Sequence, residues 1–222
     1  MRKKLVIFDF DGVVADSEKI WLKNRQLTLN ERFNLGWDFE TTNKYIGGMS
    51  DQTKRETLEK MGIIADDDFW KICVEKDLEN MKKDGLDIMP YVDEIFECVE
   101  KYCVATGGVY YKTLEKLKTI GMWNKYFDEG NTFTVDMVKK GKPEPDLFLF
   151  AAKKMGVHPK DCIVIEDSIV GMQAGLNAGM DVIAFLGSEM YQNEKYLTRV
   201  KELGIENIFY DMRDVKEFLL NE

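Results

Sequence analysis

The sequence predicts an α/β protein whose core is a doubly wound, Rossmann-like parallel sheet, with a helical cap domain inserted into it. A buried first strand is indicated by the unbroken apolar run from Leu5 to Phe8. From about residue 88 to the end, strand-like and helix-like segments alternate, which is typical of a parallel sheet covered by helices on both faces. Residues 17–86, between these regions, have helical spacing and no convincing strand, so we expect them to form the cap.

The later strands of the core each follow an amphipathic stretch. Strands are predicted at 103–107, 162–168, 181–185 and 207–212, after helical stretches at 91–102, 145–156, 171–180 and 196–204. All of these helical stretches but the first close at or near a glycine, as a helix C-terminus prefers. We interpret Gly171, Gly175 and Gly179 as positions of close helix–sheet packing. The core is therefore predicted to comprise residues 1–16 and 87–222, and the cap residues 17–86.

The charge balance narrows the classes of partner. The 222 residues include 31 lysines and arginines against 40 aspartates and glutamates, a formal net charge of −9. A chain this acidic is a poor candidate for binding nucleic acid or an anionic membrane surface. Asp9 interrupts the first apolar run too early for a signal peptide, and no stretch reaches the ~20 apolar residues of a membrane span. We expect a cytoplasmic monomer or weak oligomer.

Carboxylates follow two of the predicted strands. Asp9 and Asp11 come directly after the first strand, and Glu166 and Asp167 end the strand that begins at Cys162. Ligands bind at the carboxyl ends of the strands in open α/β sheets. Four carboxylates at that edge repel one another unless a cation lies among them, and hard oxygen ligands suit Mg²⁺. The sequence therefore predicts a Mg²⁺ site there.

Two further segments supply groups that bind phosphate. Thr106 offers a hydroxyl, and Gly107 and Gly108 expose backbone N–H groups close to a predicted helix start. Lys142, in the segment KKGKPEPD, adds a point positive charge. A metal, a phosphate cradle, a lysine and a carboxylate nucleophile are the parts needed for phosphoryl transfer through an aspartyl-phosphate.

Taken in order, these segments resemble a known family. DFDGVVADSE, VATGG, GKPEPDLF and VIEDSIVGMQAGLNAGM are similar to the four ordered motifs of the haloacid dehalogenase (HAD) superfamily. The insert after the first motif and the GKP-x-PD form resemble its phosphatases with a helical cap, the group that holds sugar-phosphate phosphatases and β-phosphoglucomutase. The motifs fall in residues 9–180, and the last predicted strand and helix extend the resemblance over nearly the whole chain.

The resemblance implies how the carboxylates act. Asp9 would be the nucleophile and a Mg²⁺ ligand, and Asp11 the general acid and base, whose backbone carbonyl also binds Mg²⁺. Glu166 and Asp167 would hold the metal, Asp167 directly and Glu166 either directly or through water. Gly12 would let the chain leave the strand in a tight turn.

The same resemblance implies how the substrate is held. Thr106 and the Gly107 backbone would bind the phosphoryl group, and Lys142 would pair with both the nucleophile and the phosphate. Gly108 departs from the serine or asparagine often found at this position, which removes one side-chain contact to phosphate. Trp21, on the helix after the first motif, would line the substrate cleft under the cap.

We expect a Mg²⁺-dependent phosphatase acting on a small phosphorylated metabolite such as a sugar phosphate. The alternative is a sugar phosphomutase of the β-phosphoglucomutase type. Such mutases use a histidine where this chain has Trp21, and an arginine in a cap loop that we place at residues 47–51, where Asp51 is the nearest equivalent. A phospho-acceptor signalling domain, from another class, is disfavoured by the cap and by Asp11. A non-catalytic binding protein is disfavoured because no expected catalytic position is lost.

Overall fold

The computed structural model describes residues 3–47, 49, 51–188, 191 and 193–221. The chain divides into two compact units, an α/β unit of residues 1–16 and 86–222 and a helical unit of residues 17–85. The strands of the α/β unit are β1 (Leu5–Phe8), β2 (Tyr102–Thr106), β3 (Thr132–Thr134), β4 (Cys162–Glu166), β5 (Asp181–Phe185) and β6 (Ile208–Phe209). They form one six-stranded parallel sheet in the order β3-β2-β1-β4-β5-β6. The predicted fold class is therefore confirmed.

Some of the helices belong to the α/β unit, and the others form the helical unit. In the described residues they are α1 (Glu18–Phe33), α2 (Phe39–Ile46), α3 (Asp51–Lys60), α4 (Asp67–Asp84), α5 (Val92–Cys98), α6 (Tyr110–Thr119), α7 (Asp146–Lys154), α8 (Ile169–Asn177), α9 (Glu194–Glu202) and α10 (Met212–Asn221). The first four form the helical unit. No helix among the described residues combines the length and the apolarity needed to span a bilayer.

The central strands read as continuous apolar runs because both of their faces are covered. Every residue of β1 and of β4 is buried. Phe8 is in register with Val104 of β2 on one side and with Ile165 of β4 on the other, so these three strands end at the same edge. The strand order reverses between β1 and β4, and that switch point is where open α/β sheets bind ligands.

The helices of the α/β unit pack closely on the sheet. Leu147 and Phe148 of α7 and Met172 of α8 belong to one buried cluster with residues of the strands. A side chain added at Gly175 would lie 2.8 Å from Val182 Cγ2, so the glycine lets α8 approach β5. This agrees with the interpretation of Gly175 as a packing position.

The structure differs from the predicted elements in three places. β3 and α2 were not expected, because Thr132–Thr134 lies in a polar stretch and α2 begins close to the predicted first helix. The last strand is only Ile208–Phe209, whereas the pattern predicts 207–212. It lies at the edge of the sheet and pairs only with β5, so few backbone hydrogen bonds are available to lengthen it.

Candidate active site

Asp9 is held at the end of β1 by the surrounding backbone. Its N–H donates to the Ile165 carbonyl at 3.0 Å, which continues the pairing of β1 with β4. The chain then turns tightly, and the Val14 N–H donates to the Phe10 carbonyl at 2.9 Å. Gly12 has a φ of +81°, a conformation that strains residues with a side chain. The turn therefore keeps both aspartates of the DFD sequence at the carboxyl end of the sheet.

Glu166 and Asp167 lie next to this turn, at the end of β4. A side chain at Gly12 would overlap the Asp167 carboxylate, so that carboxylate lies directly against the turn. The Glu166 carboxylate accepts hydrogen bonds from the N–H and the hydroxyl of Ser168, both at 2.9 Å. A side chain at Gly171 would overlap the same carboxylate. Gly171 therefore makes room for a site carboxylate, which corrects its interpretation as a packing position alone.

Lys142 joins the carboxylates of the two strands. Its ammonium lies 2.5 Å from Asp9 Oδ1 and 2.5 Å from Glu166 Oε1, and its side chain is only 8% exposed. The ammonium is also 4.9 Å from the centre of the Phe148 ring, on α7. Because Lys142 comes from the loop before α7, the sheet edge brings together three of the four motifs.

Burial and neighbouring charges shift the pKa values of Asp9 and Lys142. Burial raises the pKa of Asp9 to about 7, Lys142 opposes that shift, and Glu166 and Asp11 add to it. Burial by itself lowers the pKa of Lys142, but the attraction of Asp9 and Glu166 outweighs it, so the pKa of this ammonium is raised. Lys142 therefore stays charged, and a further cation near Asp9 would favour the ionised, nucleophilic carboxylate.

Asp11 faces a cation of its own. Both of its carboxylate oxygens accept hydrogen bonds from Lys116 Nζ, at 2.6 and 2.7 Å. Lys116 lies on α6, its ammonium is 5.2 Å from the centre of the Phe10 ring, and its side chain is 10% exposed against 25% for Asp11. The residue that the resemblance makes the acid and base is thus held by a lysine outside every motif.

The carboxylates can hold a metal ion. Asp9, Glu166 and Asp167 are buried, and each offers one oxygen that lies within 4.8 Å of the other two. The site gathers four carboxylates and two ammonium groups, from Asp9, Asp11, Glu166, Asp167, Lys116 and Lys142. When all six are ionised, the carboxylates among them outnumber the ammonium groups by 4 − 2 = 2, and a bound Mg²⁺ would reduce this excess of negative charge. The all-oxygen donor set also fits Mg²⁺.

The loop after β2 is open beside Gly107. Thr106 ends β2 and is buried, and its hydroxyl accepts from the Gly108 N–H at 3.1 Å. A side chain added at Gly107 would meet nothing within 4 Å, whereas one at Gly108 would lie 3.2 Å from Thr113 Oγ1. The loop runs into α6, and backbone N–H groups at such a helix start suit an anion.

Two predicted substrate elements belong to the helical unit. Trp21 lies on α1 and is buried. In the predicted substrate loop, residues 48 and 50 lie outside the described residues, and only the backbone of Asp51 is described, as the first residue of α3. The roles assigned to Trp21 and to this loop stay predictions.

A second contact missed by sequence reasoning comes from α9. The Tyr196 hydroxyl donates to the Asp167 carbonyl at 2.6 Å and accepts from the Ile169 N–H at 3.2 Å. Tyr196 and Lys116 lie on helices outside the motifs. Helical spacing was the only signal they offered, and it does not tell which backbone or carboxylate a polar residue contacts.

Known proteins are similar to this chain in sequence and in fold. Residues 6–185 match the family described as haloacid dehalogenase-like hydrolase. A fructose-1-phosphate phosphatase of Escherichia coli (strain K12) is 31% identical over 182 residues, which covers 80% of this chain and 94% of that protein. The sequence similarity therefore extends over almost all of that phosphatase.

Two solved structures extend the comparison. A haloacid dehalogenase-like protein of unknown function from Agrobacterium tumefaciens has a TM-score of 0.84 at 23% identity and covers 99% of this chain and 98% of its own, which shows the fold. A candidate β-phosphoglucomutase from Thermotoga maritima has a TM-score of 0.71 at 26% identity and covers 98% and 97%. Proteins similar to this chain thus carry the names of two activities.

Proposed function

The chain belongs to the haloacid dehalogenase-like hydrolases, and we propose that it is a Mg²⁺-dependent phosphatase of a small sugar phosphate. The observation that carries the proposal is the setting of Asp9, a buried carboxylate 2.5 Å from Lys142 within a group able to hold a metal ion. A nucleophile, a fixed cation and metal ligands at one sheet edge are what phosphoryl transfer requires. The similarity to a fructose-1-phosphate phosphatase supports a sugar phosphate as the substrate class.

The first half of the proposed reaction forms a covalent intermediate. A carboxylate oxygen of Asp9 attacks phosphorus, the bond to the leaving oxygen breaks, and an aspartyl-phosphate results. Asp11 donates the proton that the leaving oxygen needs. Lys142 and the Thr106 hydroxyl hold phosphoryl oxygens. A bound Mg²⁺ would supply the charge neutralisation that lets a phosphate dianion approach buried carboxylates.

The second half releases phosphate. Water attacks phosphorus, Asp11 takes a proton from that water, the bond from phosphorus to Asp9 breaks, and inorganic phosphate leaves. Asp11 must therefore exchange protons with both the leaving group and water. Its side chain is 25% exposed whereas Asp9 and Glu166 are almost fully buried, which supports this division of roles.

The test is phosphate release by the purified full chain from a panel of phosphate esters that includes fructose 1-phosphate, glucose 6-phosphate and glycerol 3-phosphate. With Mg²⁺ we expect turnover of the sugar phosphates. Excess EDTA should abolish that turnover and added Mg²⁺ should restore it, whereas EDTA already saturated with Mg²⁺ should have no effect. Full activity in the free chelator would rule out the proposed metal site.

A mutase is the second candidate, because a candidate β-phosphoglucomutase shares the fold over nearly the whole chain. Trp21 argues against it, since the resemblance to the mutases calls for a histidine there and the chain's single histidine is His158. The measurement is coupled detection of glucose 6-phosphate beside free phosphate, with β-glucose 1-phosphate as substrate. We expect free phosphate alone, and isomerised sugar phosphate forming faster than free phosphate would favour the mutase.

A further inference from the structure

We propose that Tyr196 is a positioning residue for the metal site and that its hydroxyl holds the backbone from which Asp167 presents its carboxylate. The inference rests on the metal site proposed above, and it adds a residue from outside the four motifs. Tyr196 lies on α9, which follows β5 and contributes no other residue to the site as the structure describes it.

The Tyr196 hydroxyl spans the metal-binding loop. It donates to the Asp167 carbonyl at 2.6 Å and accepts from the Ile169 N–H at 3.2 Å, so it contacts the backbone on both sides of Ser168. A tyrosine hydroxyl has one hydrogen to donate and can accept as well, and both capacities are used here. Phenylalanine at this position would keep the ring and lose both hydrogen bonds.

The loop needs a partner of this kind because it ends in a helix start. Ile169 is the first residue of α8, and the first N–H groups of a helix have no partner within it. The Ser168 side chain holds the other carboxylate of the loop, since its hydroxyl donates to Glu166 at 2.9 Å. Tyr196 thus does for the Asp167 backbone what Ser168 does for the Glu166 side chain.

Tyr196 is itself held in place. Its backbone N–H donates to the Asn193 side chain at 2.9 Å, which caps α9, and its ring centre lies 4.8 Å from that of Tyr191. The hydroxyl therefore reaches the loop from an anchored helix turn. A hydrogen bond from an anchored group can fix the position of the backbone that it contacts.

Small shifts of this backbone should matter to the metal. The Asp167 carboxylate lies directly against Gly12, so a displaced loop would move the ligand oxygen against the turn after β1. Mg²⁺ demands near-ideal geometry at its ligands. Outer partners of metal ligands typically change metal affinity or activity by ~10–100-fold when they are removed. We expect Tyr196→Phe to fall at the lower end, about 10-fold weaker metal binding, because Asp167 itself is kept.

The experiment measures Mn²⁺ binding to the full chain by electron paramagnetic resonance, without substrate. Tyr196→Phe should raise the dissociation constant for Mn²⁺ about 10-fold. Tyr126→Phe is the matched control, because its hydroxyl donates to Glu97 at 3.1 Å in the same unit, outside the site. That variant should bind Mn²⁺ as the wild type does.

Asn193→Ala separates the hydroxyl from the helix, since it weakens the cap of α9 and keeps Tyr196. We expect it to lower thermal stability and to weaken Mn²⁺ binding much less than Tyr196→Phe does, because the hydroxyl is kept and the Tyr196 ring still packs against Tyr191. Equal Mn²⁺ affinity of wild type and Tyr196→Phe would overturn the inference, and so would an equal loss of affinity in Asn193→Ala. If the wild type does not bind Mn²⁺, the proposed metal site is wrong, which is a different failure from that of the Tyr196 inference. Asp167→Asn tests the location of the bound ion, because it should weaken Mn²⁺ binding at this site.

Discussion

Each unit of the molecule buries an ion pair, and the two pairs differ in how their charge is matched. In the helical unit, Arg25 donates to one Asp77 oxygen at 2.5 Å and the Asn24 amide donates to the other at 2.8 Å. Arg25 also donates to the Trp21 carbonyl at 3.0 Å. One cation thus meets one carboxylate in these contacts. In the α/β unit, Lys142 meets two carboxylates, and further ones lie beside them.

The difference distinguishes buried charges that stabilise the fold from buried charges that serve activity. A buried pair with matched charges keeps the fold intact, and removing one partner leaves a buried charge that has lost its counter-ion. A buried group in which carboxylates outnumber cations lowers the stability of the fold until a positively charged ligand neutralises it. Such sites are functional candidates, because activity is a common reason for tolerating the cost. Exchanging an aspartate for asparagine in each unit tests this directly.

The largest effect is expected for Asp9→Asn in the α/β unit. The change removes the nucleophile, so kcat should fall on the order of 10⁴-fold or more. The free energy of unfolding without metal should stay the same or increase, because the variant has one carboxylate fewer in the crowded group. Lys142 remains ion-paired with Glu166. Phosphate release and urea unfolding measure the two quantities. Near-normal turnover in this variant would contradict the role of Asp9.

Asp77→Asn is the same exchange in the helical unit, and it should have the opposite profile. Arg25 would lose the Asp77 carboxylate, and breaking a buried pair in this way costs about 3–5 kcal/mol of unfolding free energy. The kcat of the molecules that remain folded should change little, since Asp77 belongs to the structural network. Urea unfolding and active-enzyme titration check this. A large fall in kcat with unchanged stability would defeat the comparison between the units.

The smallest effect is expected for Lys116→Met, which removes the cation that holds Asp11. General acid–base catalysis contributes ~10²–10⁴-fold, and a displaced Asp11 should lose a part of it, about 10-fold in kcat. The loss in kcat/KM, which reports the first half of the reaction, should be larger for a sugar phosphate than for p-nitrophenyl phosphate, whose leaving group needs no proton.

Lys118→Met serves as the control for this change. Its ammonium lies on the same helix, contacts Glu115 at 3.4 Å and is about half exposed. We expect it to keep the wild-type rates on both substrates. An equal loss of kcat/KM on both substrates in Lys116→Met would show that Lys116 supports the fold of the site and not the position of Asp11.

The strands that carry the site could be predicted because each is an apolar run with a polar residue at its end. β1, β2 and β4 are covered on both faces, so their sequences stand out from their surroundings. β3 could not be recognised, because two of its three residues are threonines that are buried only in the folded sheet. Burial of these hydroxyls is a result of tertiary packing.

The sequence by itself determined the fold class and the candidate site residues that adjoin strand ends. Asp9 and Glu166 follow or end buried strands, and parallel strands bring such positions to one edge. Only the tertiary structure decided that Lys116 holds Asp11 and that Tyr196 holds the Asp167 backbone. These contacts depend on how α6 and α9 are rotated against the sheet. That rotation is set by the packing of whole helices, whereas a strand end is set by its own few residues.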